Sequence, residues 1–371
     1  MINTKEFLDE LQKNDLTFFS GVPDSLLKNL CFAIDKKFKF KHFVAANEGS
    51  AIGIGLGYHL KTKKIPVVYM QNSGLGNAIN PLISLANSKV YRIPIFMIIG
   101  WRGEDGKKII DEPQHIAQGK ETINFLKSLG VKYKIISSKS NIKKTIKDLK
   151  DYSDKNKLPV CILVKKNTFE NKKSKKTIIS QKLYLREELL KTLVNNLPNK
   201  SNIVSSTGLL SRELNEILMI NNLKKINNFM CVGGMGHAIS VASGIAINSN
   251  KKIFCLDGDG ALTMHMGSLT TSATQKNLVH ILFNNSGHES VGGQKTSADD
   301  VQFYKLAKTL GYKTSRCCKN KTQLIKAISE GIFSRESFFI EVLCKQGHRK
   351  NISRPNKDMI TLKEQFIKNL K

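Results

Sequence analysis

The chain has 371 residues, enough for two domains of ordinary size that each bury a hydrophobic core. Apolar residues make up 40% of it, which is typical of a folded globular protein and excludes the disordered class. The formal net charge of +29 raises the question of nucleic-acid binding. However, the basic residues are scattered without the interleaved aromatic residues of single-strand binders, so we expect no nucleic-acid partner.

The N-terminal stretch "MINTKEFLDELQ" has neither a basic segment nor an apolar one, so it does not resemble a secretory signal. The most apolar runs, such as residues 93–100, are far shorter than the roughly 18 residues that suggest a membrane span. Seven cysteines without a CxxC pair suit reduced thiols. We therefore expect a cytoplasmic protein with no membrane partner.

In the first half of the chain, apolar runs alternate with helical segments such as 48–62 and 77–88. The runs are typical of buried strands and comprise residues 41–47, 65–71, 93–100, 133–136 and 159–165. Strands that alternate with helices predict a parallel sheet with helices on both faces.

The second half repeats this alternation. Its predicted strands are residues 202–207, 251–257, 278–285 and 338–344, and its predicted helices include 211–219, 237–248, 261–275 and 302–311. Between the halves lies a polar, densely charged stretch, which we interpret as a linker at residues 166–181. The predicted architecture is thus two doubly wound α/β domains, 1–165 and 182–371, with no central domain.

The strand predicted before residue 258 ends in the tract Asp257-Gly258-Asp259-Gly260, which leads into a helix. Parallel sheets bind ligands beyond the carboxyl ends of their strands, and glycines let a phosphate approach the backbone at a helix start. A carboxylate would repel that phosphate unless a divalent cation bridges the two. Taken alone, this tract is better explained as a turn.

A second polar tract, Asn284-Asn285, stands at the end of the next apolar strand. The 23 residues between Gly260 and Asn284 are the length of one helix plus one strand. Asp259 and Asn285 would supply side-chain oxygens to a cation, and the carbonyl of Gly287 a third ligand. Asn-Asn taken alone is a common helix cap. Together, at the ends of neighbouring strands, the two tracts favour a metal–diphosphate site.

This pairing of tracts is the signature of thiamine diphosphate enzymes, and the chain resembles their two-domain decarboxylases. More narrowly it resembles the phosphonopyruvate decarboxylases, with the sulfopyruvate decarboxylases as the nearest alternative. The matching stretches occur in order along nearly the whole chain: "SGVPDSLL" (20–27), "AANEGSAIGIGLGYHL" (45–60), "YMQNSGLGNAINPL" (69–82), "GWRGEDG" (100–106), "DEPQH" (111–115), "MGHA" (235–238), "GDGALTMHMGSL" (258–269) and "NNSGHESVGGQ" (284–294).

The resemblance implies a first domain that binds the aminopyrimidine ring of thiamine diphosphate and a second that binds its diphosphate with Mg²⁺. It also implies active sites between subunits, and hence a homodimer or a higher homo-oligomer. Glu48 would be the acid that protonates the pyrimidine, a role that needs a positioned and desolvated carboxyl group. On the residues alone, a Glu that stabilises a helix N-terminus explains the position equally well.

Further site residues follow from the resemblance with less support from the residues themselves. His115 would face the substrate, and Asp24 is either an active-site acid or a helix N-cap. Arg102, Arg212 and His288 are candidates for the anionic end of the substrate, since a guanidinium fork suits phosphonate oxygens. The remaining candidates for cofactor binding are Gly236, His237, Gly258, Gly260, Ala261 and Met264.

The resemblance therefore predicts a carboxy-lyase that acts on a small anionic 2-oxo acid. The reaction would convert 3-phosphonopyruvate to 2-phosphonoacetaldehyde and CO₂ in phosphonate biosynthesis. The alternatives are sulfopyruvate decarboxylation, or another 2-oxo acid decarboxylase or carboligase. Two departures from the family pattern, Leu209 and Lys295, bear on the substrate rather than on the cofactor.

Overall fold

The computed structural model of the chain describes residues 1–104, 111–170, 183–220, 226–297, 300–353 and 358–370. The chain divides into two compact units, Met1–Lys176 and Thr177–Lys371. Residues 171–181 of the predicted linker lie outside the described residues, so the predicted domain boundaries stay a prediction. None of the described helices is long and apolar enough to cross a membrane.

In the described part of the first unit, six strands form a parallel sheet in the order β2-β1-β3-β4-β6-β5. The strands are β1 (Phe19–Gly21), β2 (His42–Val44), β3 (Val67–Gln71), β4 (Phe96–Gly100), β5 (Lys132–Ile136) and β6 (Val160–Val164). The helices are α1 (Thr4–Lys13), α2 (Lys28–Phe38), α3 (Glu48–Thr62), α4 (Leu75–Pro81), α5 (Pro113–Ser128) and α6 (Ile142–Asn156).

Both faces of this sheet are covered, which explains why its central strands are apolar at every position. Along β3, Val67 and Tyr69 point into one hydrophobic cluster, and Val68 and Met70 point into another on the opposite face. All four side chains are fully buried. The order of the strands reverses between β1 and β3, so a crevice is expected at the carboxyl ends of these two strands.

The second unit contains, in its described part, a parallel sheet of six strands in the order β13-β14-β10-β9-β7-β8. The strands are β7 (Asn202–Ser205), β8 (Asn227–Met230), β9 (Ile253–Gly258), β10 (Leu278–Asn284), β13 (Thr314–Cys318) and β14 (Phe338–Leu343), with a small hairpin of β11 (Gly287–His288) and β12 (Gln294–Lys295). The helices are α7 (Arg186–Asn196), α8 (Leu209–Ile220), α9 (Ala238–Ile247), α10 (Asp259–Met264), α11 (Ser268–Ser272), α12 (Phe303–Thr309), α13 (Lys321–Phe333) and α14 (Met359–Leu370).

Two predicted helices were wrong in their extent. The helix predicted at 77–88 is α4, and it gives way to a π-helical turn at Leu82–Ala86, because Pro81 cannot donate a backbone hydrogen bond within a helix. The helix predicted at 261–275 is two short helices, α10 and α11. His265 between them has a non-helical φ of −141°, and Gly267 has low helix propensity.

Two predicted strands were wrong in their burial, because β2 and β5 lie at the edges of the first sheet. Phe43 in β2 is 48% exposed, and Ile135 in β5 is 40% exposed. Strands β1, β8 and β13 had no counterpart in the sequence prediction. Each is short or carries polar residues, which weakens the apolar pattern of a buried strand.

Candidate active site

The second unit contains a cleft at the point where the order of its strands reverses, between the carboxyl ends of β7 and β9. Ser206 and Thr207 follow β7 and form one wall, while Gly258, the last residue of β9, and Asp259 directly after it form another. The cleft holds about 480 Å³, part of it open to solvent. Parallel α/β sheets bind ligands at such switch points.

Asp259 is the first residue of α10, and only 3% of its surface is exposed. Burial raises the pKa of Asp259 to about 6, although a hydrogen bond from Thr296 Oγ1 to its Oδ2 at 3.1 Å works in the opposite direction. Thr296 comes directly after β12, so the hairpin formed by β11 and β12 returns the chain to this carboxylate. A buried carboxylate of this kind is stabilised by a bound cation.

The two asparagines at the end of β10 have different surroundings. Asn284 donates from Nδ2 to Oε1 of Glu341 on β14 at 2.8 Å, so it braces neighbouring strands. Asn285 lines the cleft, and its backbone N–H contributes a hydrogen bond to the Asp259 carboxylate. Gly287 lines the same cleft and donates its N–H to Asn285 Oδ1 at 3.2 Å. The structure thus brings together the three predicted metal ligands, Asp259, Asn285 and Gly287.

Asp257 is buried inside the second unit and does not line the cleft, although it is only two residues from Asp259. Its Oδ1 accepts the backbone N–H of Gly258 at 2.9 Å, and its Oδ2 lies 3.7 Å from Nε2 of His280 on β10. Asp257, His280 and Cys255 form a fully buried polar cluster on one face of the sheet. The cluster is therefore part of the interior behind the cleft.

The other predicted cofactor residues surround the cleft to different degrees. Gly260, Ala261 and His288 line it, and burial lowers the pKa of His288 to about 4, which keeps its imidazole neutral. Gly236 has a φ of +92°, which only glycine adopts readily, and a Cβ there would overlap with His265. His237 is exposed and packs against His265, with 4.5 Å between the ring centroids.

Met264 is buried in α10, and neither it nor His237 is among the residues that line the cleft in the described part of the chain. Arg212 on α8 is half-buried and does not line the cleft either. Arg186, at the first position of α7, lines it instead, with only 6% of its surface exposed. The sequence offered no signal for Arg186, because a basic residue at a helix start is common on protein surfaces.

In the first unit, Glu48 is the first residue of α3, directly after the N-cap Asn47. Only 5% of Glu48 is exposed, and its Oε2 accepts a hydrogen bond from Asn77 Nδ2 at 2.8 Å. Gly74 lies so close that a Cβ at this position would overlap with the Glu48 carboxyl group. Burial raises the pKa of Glu48, although the hydrogen bond from Asn77 opposes this, so the protonated form is favoured.

Asp24 is fully buried at the reversal point of the first sheet, beside the end of β3. Its Oδ2 accepts the N–H groups of Leu26 and Leu27 at 3.1 and 3.2 Å, just before α2, and its Oδ1 accepts Nε2 of Gln71 at 2.7 Å. Burial raises the pKa of Asp24, although the hydrogen bond from Gln71 opposes this. The N-cap of α2 is Leu27, so Asp24 holds the segment that precedes the helix and is not its N-cap.

Arg102 follows β4, and its guanidinium group is already engaged within the unit. It donates from Nε and Nη2 to both oxygens of Asp111, and from Nη1 to Ser25 Oγ at 3.1 Å. His115 lies in the first turn of α5, close enough to Asp111 to help lower the pKa of that carboxyl group. Arg102 and Asp111 line a second, smaller cleft in the first unit together with Lys166.

Two family models match the chain. The model of the thiamine pyrophosphate enzyme N-terminal TPP binding domain matches residues 4–124, and that of the C-terminal TPP binding domain matches residues 206–342. Together the two matched segments contain most of the predicted site residues, including Glu48 and Asp259.

Two curated relatives match over nearly the whole chain, and a third matches over part of it. A phosphonopyruvate decarboxylase of Streptomyces hygroscopicus is 28% identical over 96% of this chain and 90% of its own length. A sulfopyruvate decarboxylase of Methanosarcina acetivorans is 26% identical over 96% of this chain and 94% of its own length. The sulfopyruvate decarboxylase subunit alpha of Methanococcus maripaludis is 34% identical over 40% of this chain and 84% of that subunit.

These matches confirm the predicted resemblance and the predicted class of enzyme, a decarboxylase. The predicted fold class is confirmed by the two parallel sheets with their helices and by the two domain matches. The chain belongs to the thiamine pyrophosphate enzyme family.

Proposed function

We propose that the chain catalyses the thiamine diphosphate- and Mg²⁺-dependent decarboxylation of 3-phosphonopyruvate to 2-phosphonoacetaldehyde and CO₂. The observation that carries the choice of substrate is the end-to-end match to a phosphonopyruvate decarboxylase. A sulfopyruvate decarboxylase matches over the same share of this chain, so sulfopyruvate is the second candidate substrate.

The cleft of the second unit fits a hydrated divalent cation. Asp259 supplies a carboxylate, Asn285 an amide oxygen and Gly287 a backbone carbonyl, and hard cations such as Mg²⁺ take such oxygen donors. Burial raises the pKa of the Asp259 carboxyl group, so a cation at this position would stabilise its charged form. Gly258 has no heavy atom within 4 Å of the position of a Cβ, so a ligand can approach the backbone there.

In this proposal, Asp259, Asn285 and Gly287 would hold the cation, and the backbone near Gly258 and Gly260 would hold the diphosphate of the cofactor. When bound, the cofactor supplies an electron sink for the pair of electrons that is released as CO₂ leaves the substrate. His288 lies next to Gly260, and because its imidazole is neutral it would add no positive charge beside the diphosphate.

Glu48 would bind the aminopyrimidine ring through its protonated carboxyl group. Burial favours the protonated form, and Asn77 holds Oε2 through a hydrogen bond of 2.8 Å, so the group is both desolvated and oriented. A carboxyl group with a raised pKa holds its proton to a higher pH than an ordinary glutamate and can return it, which is the property that acid–base catalysis requires.

The anionic end of the substrate is expected near the basic residues that line the clefts. Arg102 remains a proposed contact, since among the described residues its Nη1 donates only to the neutral hydroxyl of Ser25. Its charge is largely balanced by Asp111, so Lys166 in the same cleft is the less compensated cation. His115, Arg212 and His288 remain proposals for this role.

We also propose a homodimer or a higher homo-oligomer with active sites between subunits. Exposed apolar side chains on α3 and in the π-helical turn after α4 support an assembly through the first unit. They are Ile54, Leu60, Ile83 and Leu85, which are 39%, 70%, 46% and 39% exposed. The relative from Methanococcus maripaludis is named as a subunit.

The substrate is tested by CO₂ release from phosphonopyruvate, sulfopyruvate and pyruvate, each with and without Mg²⁺ and thiamine diphosphate. We expect turnover of phosphonopyruvate that requires both additions, with kcat/KM about tenfold or more above that for sulfopyruvate, because discrimination by a site built for one anion is of this order or larger. Activity on sulfopyruvate alone would overturn the proposed substrate. Joined products formed after addition of pyruvate would identify a carboligase.

The position of Glu48 is tested by Gly74→Ala. The new Cβ would overlap with the Glu48 carboxyl group, while the backbone φ of −74° at Gly74 allows alanine without strain. We expect CO₂ release to fall by about 10²-fold, since small displacements of a catalytic group have effects of this size. Gly76→Ala is the matched control, because a Cβ there has no heavy atom within 4 Å. Equal rates for both variants would contradict the proposed role of Glu48.

A further inference from the structure

Glu289 is a meeting point of hydrogen bonds at the wall of the cleft, and its side chain is only 6% exposed. Its Oε2 accepts Nδ2 of Asn285 at 3.2 Å and lies 3.0 Å from Nη1 of Arg186. Its Oε1 accepts the backbone N–H of Gly347 and lies 3.3 Å from Nδ1 of His348. One carboxylate thus joins α7, the loop after β10 and the segment after β14.

The contact with Asn285 decides which end of that amide faces the cleft. A carboxylate oxygen can only accept, so the NH₂ group of Asn285 must point toward Glu289. Rotating the amide by half a turn would set Oδ1 of Asn285 against Oε2 of Glu289, two acceptors at hydrogen-bond distance. The amide oxygen is therefore directed away from Glu289, toward the N–H of Gly287 and the cation ligands.

We propose that Glu289 is a positioning residue that orients the Asn285 amide so that its oxygen is available to the cation before the cation binds. The inference rests on the proposed cation site, because it concerns how one of that site's ligands is held. Residues that orient metal ligands in this way typically contribute 10–100-fold to metal affinity.

Glu289 is itself held by a rigid partner. Arg186 donates from Nε and Nη2 to both oxygens of Glu213 at 2.8 and 3.1 Å, which leaves Nη1 directed at Glu289. Arg186 and Glu213 are 6% and 0% exposed, so this fork has little freedom to move. A simpler alternative is that Glu289 only balances the buried charge of Arg186.

Exchanging the two partner groups distinguishes the alternatives. Glu289→Gln in the unmodified chain replaces one acceptor oxygen by an NH₂ group, and we expect the Kd for Mg²⁺ to rise about tenfold. Asn285→Asp sets two carboxylates against each other and should also weaken Mg²⁺ binding. In the N285D background, Glu289→Gln supplies a donor to the new carboxylate, and we expect it to tighten Mg²⁺ binding about tenfold.

The readout is calorimetric titration of Mg²⁺ into cofactor-stripped protein at fixed thiamine diphosphate, with melting temperatures measured for every variant. Glu216→Gln is the matched control, because Glu216 is also a buried acid paired with an arginine, Arg349, but its carboxylate contacts Arg349 and Ser353 rather than Asn285. We expect it to change the Kd for Mg²⁺ less than threefold. If Glu289→Gln weakens binding in both backgrounds, or leaves it unchanged, the inference is overturned and Glu289 is only a charge partner of Arg186.

Two results separate this inference from the proposed function. If the unmodified protein binds neither Mg²⁺ nor thiamine diphosphate, the proposed cation site fails, and this inference fails with it. If the unmodified protein binds both, but Glu289→Gln does not weaken Mg²⁺ binding in the unmodified chain and tighten it in the N285D background, only the role of Glu289 fails. Should the N285D variants fail to fold, the comparison of Glu289→Gln with Glu216→Gln decides: equal Kd values for Mg²⁺ overturn the inference.

Discussion

Glu48→Gln is expected to reduce CO₂ release by about 10²–10⁴-fold, the range that a positioned acid–base group contributes. Glutamine has nearly the same shape and can still accept the hydrogen bond from Asn77, but it cannot hold or return a proton. The affinity for thiamine diphosphate should change little, because the proposed diphosphate and cation contacts lie in the second unit. The measurements are steady-state CO₂ release and calorimetric binding of the cofactor.

Glu10→Gln provides the control for this substitution, since Glu10 is also a buried acid of the first unit and is 8% exposed on α1. We expect it to retain full turnover. Unchanged CO₂ release in the E48Q variant would exclude Glu48 as the acid. Loss of cofactor binding in that variant would instead assign Glu48 to binding alone.

Glu48→Gln is also expected to change the melting temperature in a pH-dependent way. Burial raises the folded-state pKa of Glu48, so the folded protein binds this proton more tightly than the unfolded chain does. The cost of ionising Glu48 is absent at low pH and grows as the pH rises from the unfolded pKa toward the folded one. Glu48→Gln should therefore melt at a higher temperature than the unmodified protein, with a difference that increases as the pH rises above the ordinary glutamate pKa of 4.5. A difference that shrinks as the pH rises would contradict the burial argument.

The fold was predictable where one physical signal dominated. Central strands such as β4 and β6 are buried on both faces and are therefore apolar at every position, and α3 was predicted at its observed bounds, Glu48–Thr62. Edge strands such as β2 have a similar apolar pattern but are half-exposed. Their exposure was not predicted, because the residue pattern does not show which strands have a neighbour on each side.

The closeness of the two proposed cation ligands was predictable for a related reason. Asp259 and Asn285 stand at the ends of consecutive strands, and in a parallel sheet such ends meet at one edge, so short-range spacing was enough to bring them together. Spacing alone did not separate Asn285 from Asn284. That distinction depends on Glu341, which binds Asn284 from 57 residues away in the chain.

The residues that hold the ligands were not predictable. Arg186 and Glu213 are 27 residues apart and lie on different helices, and Glu289 joins them only in the folded chain. Each has the residue type of an ordinary surface charge. Their burial and mutual pairing depend on tertiary contacts, which the sequence pattern does not show. A buried charge is stable only when its partners are in place.

Asp259→Asn is expected to change stability in opposite directions with and without ligands. In the metal-free protein, the substitution removes a buried negative charge whose pKa burial has raised to about 6, so the melting temperature should stay equal or rise by about 2–4 °C per kcal/mol gained. With Mg²⁺ and thiamine diphosphate present, the unmodified protein should gain stability through binding, and the variant should not. Thermal melts under both conditions measure this.

Asp259→Asn should weaken Mg²⁺ binding strongly. Removing a proposed cation ligand is expected to have at least the 10–100-fold effect of removing a residue that orients one. Asp257→Asn is the control: it is two residues away and retains an acceptor for the Gly258 N–H, so it should still bind the cofactor. If Asp259→Asn retains the stabilisation by Mg²⁺ and thiamine diphosphate, Asp259 is not a cation ligand. If only Asp257→Asn loses it, the cation lies on the side of the sheet where Asp257 meets His280, and the acidic tract must be assigned the other way round.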